Sequence, residues 1–378
     1  MTIAFITEVY LPTASSTVRS IESQRQALEQ HGHTVRIIAP SPVGIRLEQK
    51  MVHTIPSVPF PGDSGYHLTF PALSNAGPII EQADIVHAHH PFTMGSWAQQ
   101  LARQYHKPFV FTNHDYLSYQ QHIPVAGSLK KRPLAAYLTQ FANASTIVIV
   151  PTSKAEATLK AAGVTRPIHV IMNGINTDQF SQGHGERWRA ALGIPHNHLL
   201  AIHVGPLTSQ STIPLILQSL AQLDETYQLV LVGDGPDRTD LEQLAAELGI
   251  AHRIYFLGQI GYRSMPDIYA GADVLITATT NQARVTSLLE AQAAGLPVIA
   301  TQSANTHDIV RHTETALITE STRTSLTHAL RQLNLRPALR HTLAAKARQA
   351  AKRHSIQTTS AQLLNTYQLA RKLKPITR

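Results

Sequence analysis

The sequence predicts an α/β chain of two doubly wound parallel-sheet domains facing each other across a cleft. Two observations predict it. Short apolar runs alternate with helical stretches along most of the 378 residues, which is the pattern of repeated βαβ units with helices covering a parallel sheet. The alternation then halts at Asn173-Gly174, a turn signal, and starts again.

In the first half, residues 3–7 read as a strand. A helix follows with Val18, Ile21 and Leu28 on one stripe, and Gly32 is placed to end it. The next strand, 34–39, closes at Pro40. Further strands are expected at 84–88, 108–112, 146–150 and 168–172. In the second half the expected strands are 199–204, 228–232, 253–257, 273–277 and 297–300. Helices are expected at 213–223 and 239–248, and a helix-rich tail closes the chain. The domains are therefore 1–172, 173–355 and a terminal helical segment 356–378, with the seam near 173–185.

Composition narrows the chemistry. There is no cysteine, which excludes disulfides, thiol catalysis and zinc–thiolate sites. No apolar run is long enough for a transmembrane helix, and the first residues lack a basic leader, so a cytoplasmic location is expected. The net charge of +8 is unevenly spread: residues 321–378 hold 12 Lys and Arg and no Asp or Glu, while the rest holds 20 basic and 24 acidic residues. Such a tail suits either a solvated helical face or an anionic lipid surface at the inner face of a membrane. Lys130, Lys131 and Arg132, beside apolar residues, are a second candidate membrane contact or a plain surface helix. Aromatic residues are too sparse in the tail for base stacking, so no nucleic acid is expected.

Ligands of open α/β sheets sit beyond the carboxyl ends of the strands. Gly205 follows one strand and precedes the helix near 213, so free amides and the helix dipole there suit a diphosphate. Thr208, Ser209, Ser211 and Thr212 add hydroxyls; an ordinary strand–helix loop is the alternative. Glu290 reads as the third residue of a capping box behind Ser287, as a carboxylate for ribose hydroxyls, or as both. His87, His89 and His90 end a strand, but no carboxylate or cysteine accompanies them and no metal is expected. His114 also ends a strand, where a polar side chain meets either a substrate or the core.

The ordered segments AFITEVYLPTASSTVRSI, DIVHAHHPFTMG, FVFTNHD, VIMNGINTDQF, LVLVGDGPDRTDLEQLA, IYFLGQI, MPDIYAGADVLITAT and LLEAQAAGLPVIATQ carry a resemblance. They resemble the family 4 retaining glycosyltransferases, which have the GT-B fold of two Rossmann-like domains, and look nearest to bacterial diacylglycerol glucosyltransferases. The resemblance implies transfer of a hexose, glucose from UDP-glucose, to a lipid or glycan acceptor with retention. No metal or cofactor is implied; the nucleotide sugar is a substrate. The acceptor falls to the first domain and the donor to the second, with the last helix crossing back to the first domain. His114 takes the place of the histidine that touches the donor sugar. Glu290 takes that of the second glutamate of the E-x7-E motif, on the ribose. Gly205, Gly233, Gly235 and Ile260 fall in donor-binding segments, as do Val285, Thr286, Ser287 and Leu288, whose amides match the loop on sugar and phosphate. Ser16, His89 and Tyr116 fall on the acceptor side.

The sequence departs from this pattern in one place. Pro206 stands at the usual Arg, Ser211 at the usual Lys and Gln282 at the first Glu. The loop that follows, Ala283-Arg284-Val285, lacks its usual glycine, and Thr313 and Thr315 replace two more. Arg284 is a new cation that can serve the phosphates. Losing one preorganised donor costs about 10²–10³ in rate. Two readings therefore stand: an active hexosyltransferase, and a non-catalytic relative acting as partner or scaffold beside an active glycosyltransferase.

Overall fold

Every pairing in the two large sheets is parallel, as the helical connections require. The computed structural model describes residues 1–11, 16–41, 51–59, 67–114, 131–208, 212–277, 285–302, 306 and 308–373, without the side chains of 16, 59, 73, 131, 132 and 285. The chain forms two compact units, Met1–Gly174 with Ile356–Arg378, and Ile175–Ser355.

In the first unit the strands are β1 (Thr2–Ile6), β2 (Thr34–Pro40), β3 (Val52–Ile55), β6 (Ile85–Ala88), β7 (Phe109–Thr112), β8 (Ile147–Val150) and β9 (Ile168–Val170), with a separate antiparallel hairpin of β4 (Ser57–Pro59) and β5 (His67–Thr69). The sheet order is β3-β2-β1-β6-β7-β8-β9. Strand alternation sends Ile3 and Phe5 to one face and Ala4 and Ile6 to the other. The first face is covered by the helices Ser16–Gln30 and Ile356–Lys372, which bring Ile21, Leu28, Leu363, Tyr367 and Ala370. The second is covered by Thr93–Gln104 and Lys131–Asn143, through Met94, Ala98 and Phe141.

The second unit holds β10 (Leu199–Val204), β11 (Tyr227–Val232), β12 (Ile254–Gly258), β13 (Val274–Thr277), β14 (Val298–Thr301) and β15 (Ala316–Thr319), in the order β12-β11-β10-β13-β14-β15. That is the order 3-2-1-4-5-6 of a dinucleotide-binding sheet. Strand order reverses between β1 and β6 in one unit and between β10 and β13 in the other, so each sheet has a crevice at its carboxyl edge.

Strand ends match the sequence expectations to within two residues, and the helix expected at 213–223 ends at Leu220. Three features were not expected: β3, the hairpin, and β15 inside what read as a helical tail. All are short, and β3 and β15 are sheet edges, where a four-residue run carries too little pattern to separate strand from loop. The basic tail is also not one body. The helices Arg323–Leu335 and Pro337–Ala351 fall in the second unit and Ile356–Lys372 in the first. Several of its cations are engaged: Arg340 with Asp273 at 3.8 Å, Arg348 with the Ala294 carbonyl at 3.0 Å, Arg331 with the Gln222 carbonyl at 3.0 Å, and Arg371 with Asp84 at 4.0 Å. Among the described residues no helix is long and apolar enough to cross a membrane.

Candidate functional site

At the carboxyl edge of the first sheet, β1, β6 and β7 deliver a buried polar cluster. His87, still in β6, is spent on structure: Nδ1 bonds the Tyr367 hydroxyl and Nε2 bonds Thr112 Oγ1, both at 2.7 Å. His89, the next residue on that side, holds its ring tilted and 4.3 Å from that of His87 and bonds His114 Nε2 through Nδ1 at 3.0 Å. His90 turns instead to β1, where its Nδ1 accepts the Glu8 amide at 3.2 Å, which leaves the proton on Nε2. Burial holds all four imidazoles neutral, with His87 and His90 brought down to about 3, His114 to about 4, and His89 lowered further by its neighbours.

Glu8 belongs to the same edge. It is 2% exposed, and its carboxylate accepts the Met94 amide at 2.8 Å in the first turn of Thr93–Gln104. Burial raises its pKa to about 7, against the lowering by the Met94 and Gly95 amides. Gly95 is required there: a Cβ would stand 2.0 Å from the His90 carbonyl oxygen. Sequence pattern alone does not single out Glu8, although a charged residue two positions beyond β1 is signal enough. The histidines do come together, as a hydrogen-bonded neutral group with the Glu8 carboxyl at the same edge; no group of three metal-ligating side chains is arranged for an ion among the described residues.

In the second unit the loops after β10 and β11 are laced to each other. The Gly205 amide donates to the Val232 carbonyl at 2.9 Å and the Leu207 amide to the Asp234 carbonyl at 3.1 Å. Pro206 has no amide hydrogen. The expectation of free amides at Gly205 is therefore corrected: none remains over residues 205–207. Gly233 (φ +135°) would place a Cβ 2.0 Å from the Gly205 oxygen, and Gly235 one 2.2 Å from the Leu207 oxygen. These glycines serve close backbone approach. Thr212 precedes the helix Ile213–Leu220 without capping it. Ile260 is half-buried in the loop after β12.

The capping box is also corrected. The helix runs Val285–Ala294, so Ser287 lies inside it and Glu290 in its second turn. Glu290 is 4% exposed and accepts the Tyr269 hydroxyl at 2.8 Å. Thr286 is half-buried, and Ser287 and Leu288 are buried on the same helix. Tyr269 is itself packed on Phe180, with ring centroids 5.7 Å apart. Tyr116, Ser211, Gln282, Arg284 and Lys130 lie outside the described residues, and the side chains of Ser16, Lys131, Arg132 and Val285 do as well.

Comparison with known proteins agrees with this architecture. Residues 17–179 match Glycosyltransferase Family 4, and residues 185–350 match Glycosyl transferases group 1. The chain is 28% identical to an alpha-monoglucosyldiacylglycerol synthase of Streptococcus pneumoniae, over 79% of this chain and 71% of that protein. It is 27% identical to one from Acholeplasma laidlawii, over 79% and 80%. Its fold superposes with a TM-score of 0.78 on Anabaena HepE in complex with UDP and glucose, at 19% identity and covering 98% of this chain and 100% of that one. Sucrose-phosphate synthase from Thermosynechococcus elongatus gives 0.78 at 20% identity, over 98% of both. Two such domains in this order, on two parallel sheets of this topology, make the chain a member of the glycosyltransferases of GT-B fold.

Proposed function

We propose that the chain transfers glucose from UDP-glucose to a hydroxyl of a lipid or glycan acceptor, with retention and without metal or cofactor. The observation that carries this is the likeness to two alpha-monoglucosyldiacylglycerol synthases over 79% of the chain. In this reading the first unit takes the acceptor and the second the donor. His114 contacts the sugar, Glu290 takes the ribose, and Arg284 with the hydroxyls after Gly205 takes the phosphates. The 12 Lys and Arg of 321–378, with no acidic residue among them, draw the chain to an anionic membrane at the cytoplasmic face.

A second reading, a non-catalytic partner of an active glycosyltransferase, is favoured by one observation. The segment 205–207 offers neither a cation nor an open amide to a leaving diphosphate. Calorimetric titration with UDP and UDP-glucose, with GDP as control, separates the two. Micromolar binding of the uridine nucleotides, followed by glucose transfer to diacylglycerol in anionic vesicles, is the expected result; binding of none of the three would sink the donor assignment. Combining Gln282→Glu, Pro206→Arg and Ser211→Lys sharpens the choice. A gain of about 10²-fold or more in transfer means a relaxed donor site. Loss of transfer means that the present residues serve the donor as they are.

A further inference from the structure

The side chain of Asn113 has no structural explanation in the fold. It stands one residue beyond β7, its backbone amide still tied to the Ile149 carbonyl at 2.8 Å, and it is 3% exposed. Yet among the described residues neither Oδ1 nor Nδ2 has a hydrogen-bond partner. The adjacent His114 Nδ1 is likewise buried without one, while its Nε2 is held by His89. Buried amides are almost always paired, because an unpaired one has lost its water for nothing. An apolar residue would suit the place better: strand alternation puts Asn113 on the face of Phe109 and Phe111, which pack on Phe141.

The surroundings specify what would satisfy it. An amide offers one acceptor and two donors, and a hydroxyl answers with one of each. The nearby imidazoles are kept neutral by burial, so they offer no full positive charge to a phosphate. The edge is the one at which open α/β sheets take their ligands. From these observations we infer that Asn113 is a binding residue for a hydroxyl of a neutral polyol, with Oδ1 accepting from it and Nδ2 donating to it. The polyol is either the hexose of the donor or the glycerol-like end of the acceptor. The inference rests on reading this edge as the substrate edge of the glycosyltransferase.

The test compares the wild type with Asn113→Leu, which fills the same volume without polar atoms. Melting temperature is measured alone, with glucose and with glycerol, alongside UDP affinity and glucose transfer to diacylglycerol. Both polyols stabilise proteins by exclusion, so only the difference between the two chains is read. Without ligand, the Leu chain is expected to melt about 2–4 °C higher. It is expected to lose the added protection by one polyol, to bind UDP unchanged, and to transfer ~10- to 100-fold more slowly. Loss of glucose protection assigns the hydroxyl to the donor sugar, and loss of glycerol protection to the acceptor. A lower melting temperature with equal polyol protection in both chains would overturn the inference. If the wild type neither binds UDP nor transfers, the glycosyltransferase reading fails, and the melting and polyol measurements still decide Asn113. Should Leu prevent folding, Asn113→Ala leaves room for water and is expected to lose the same protection.

Discussion

The two sheets share a topology at their switch points but not a chemistry. The edge of the first is crowded with buried polar side chains: Glu8, four neutral histidines and an unpaired amide. Among the described residues, the edge of the second is built largely of backbone, with two glycine loops bonded to each other and the carboxylate of Glu290 held by Tyr269. One edge stores its specificity in side chains that the fold must keep desolvated. The other stores it in close main-chain approach. The same architecture therefore makes different residues irreplaceable in each half.

The largest expected effect strikes the backbone-built edge. Gly233→Ala forces a side chain into a left-handed conformation and into the Gly205 carbonyl, and should cost about 3–5 kcal/mol in denaturant unfolding. A cost below ~1 kcal/mol would mean that the laced loops are loose, and the contrast between the edges would go.

Acid should strike the other edge. His87, His90 and His114 have folded pKa values of about 3 to 4, below their unfolded value of 6.5, so their stabilisation is complete above pH 6.5 and is lost as pH falls toward those values. Each costs roughly 1.4 kcal/mol per pH unit in that window. Glu8 acts in the opposite sense. Its folded value of about 7 lies above 4.5, so its contribution is fully present below pH 4.5 and is lost as pH rises through 7. The histidines outnumber it, so stability of the first unit should be level above about pH 7 and fall steeply below. Hydrogen exchange read separately in each unit checks this, and equal acid sensitivity in both would break the comparison. Glu8→Gln should steepen the fall between pH 7 and 4.5, where the Glu8 contribution offsets part of the histidine loss.

The smallest effect lies in the second unit at Thr313, where the related pattern has glycine and where φ is +61°. Thr313→Gly should raise stability by about 1 kcal/mol, since a β-branched residue is strained there. An unchanged melting curve would mean that the bond from its hydroxyl to the His312 carbonyl, at 2.7 Å, offsets the strain.

Much of this was legible from local pattern. The strands of both sheet interiors announce themselves as apolar runs between helices, and the departures at Pro206 and Thr313 were visible as letters before their geometry was known. What local pattern missed were features that depend on distant chain. The helix holding Glu290 starts before Ser287, so a capping motif of the right spacing was not a cap. The amides of Gly205 and Leu207 looked free because their acceptors, the Val232 and Asp234 carbonyls, lie at the end of β11 and just beyond it.

By itself, then, the sequence determined the class of fold and the family, because periodicity and motif order are properties of the chain read in one dimension. Tertiary structure alone decided which polar groups are satisfied. His87 is bonded by a tyrosine 280 residues away, Glu8 is capped into a helix 86 residues on, and the side chain of Asn113 has no partner among the described residues. Hydrogen bonding and desolvation depend on what the folded chain brings within 3 Å of an atom, and no spacing along the sequence encodes that.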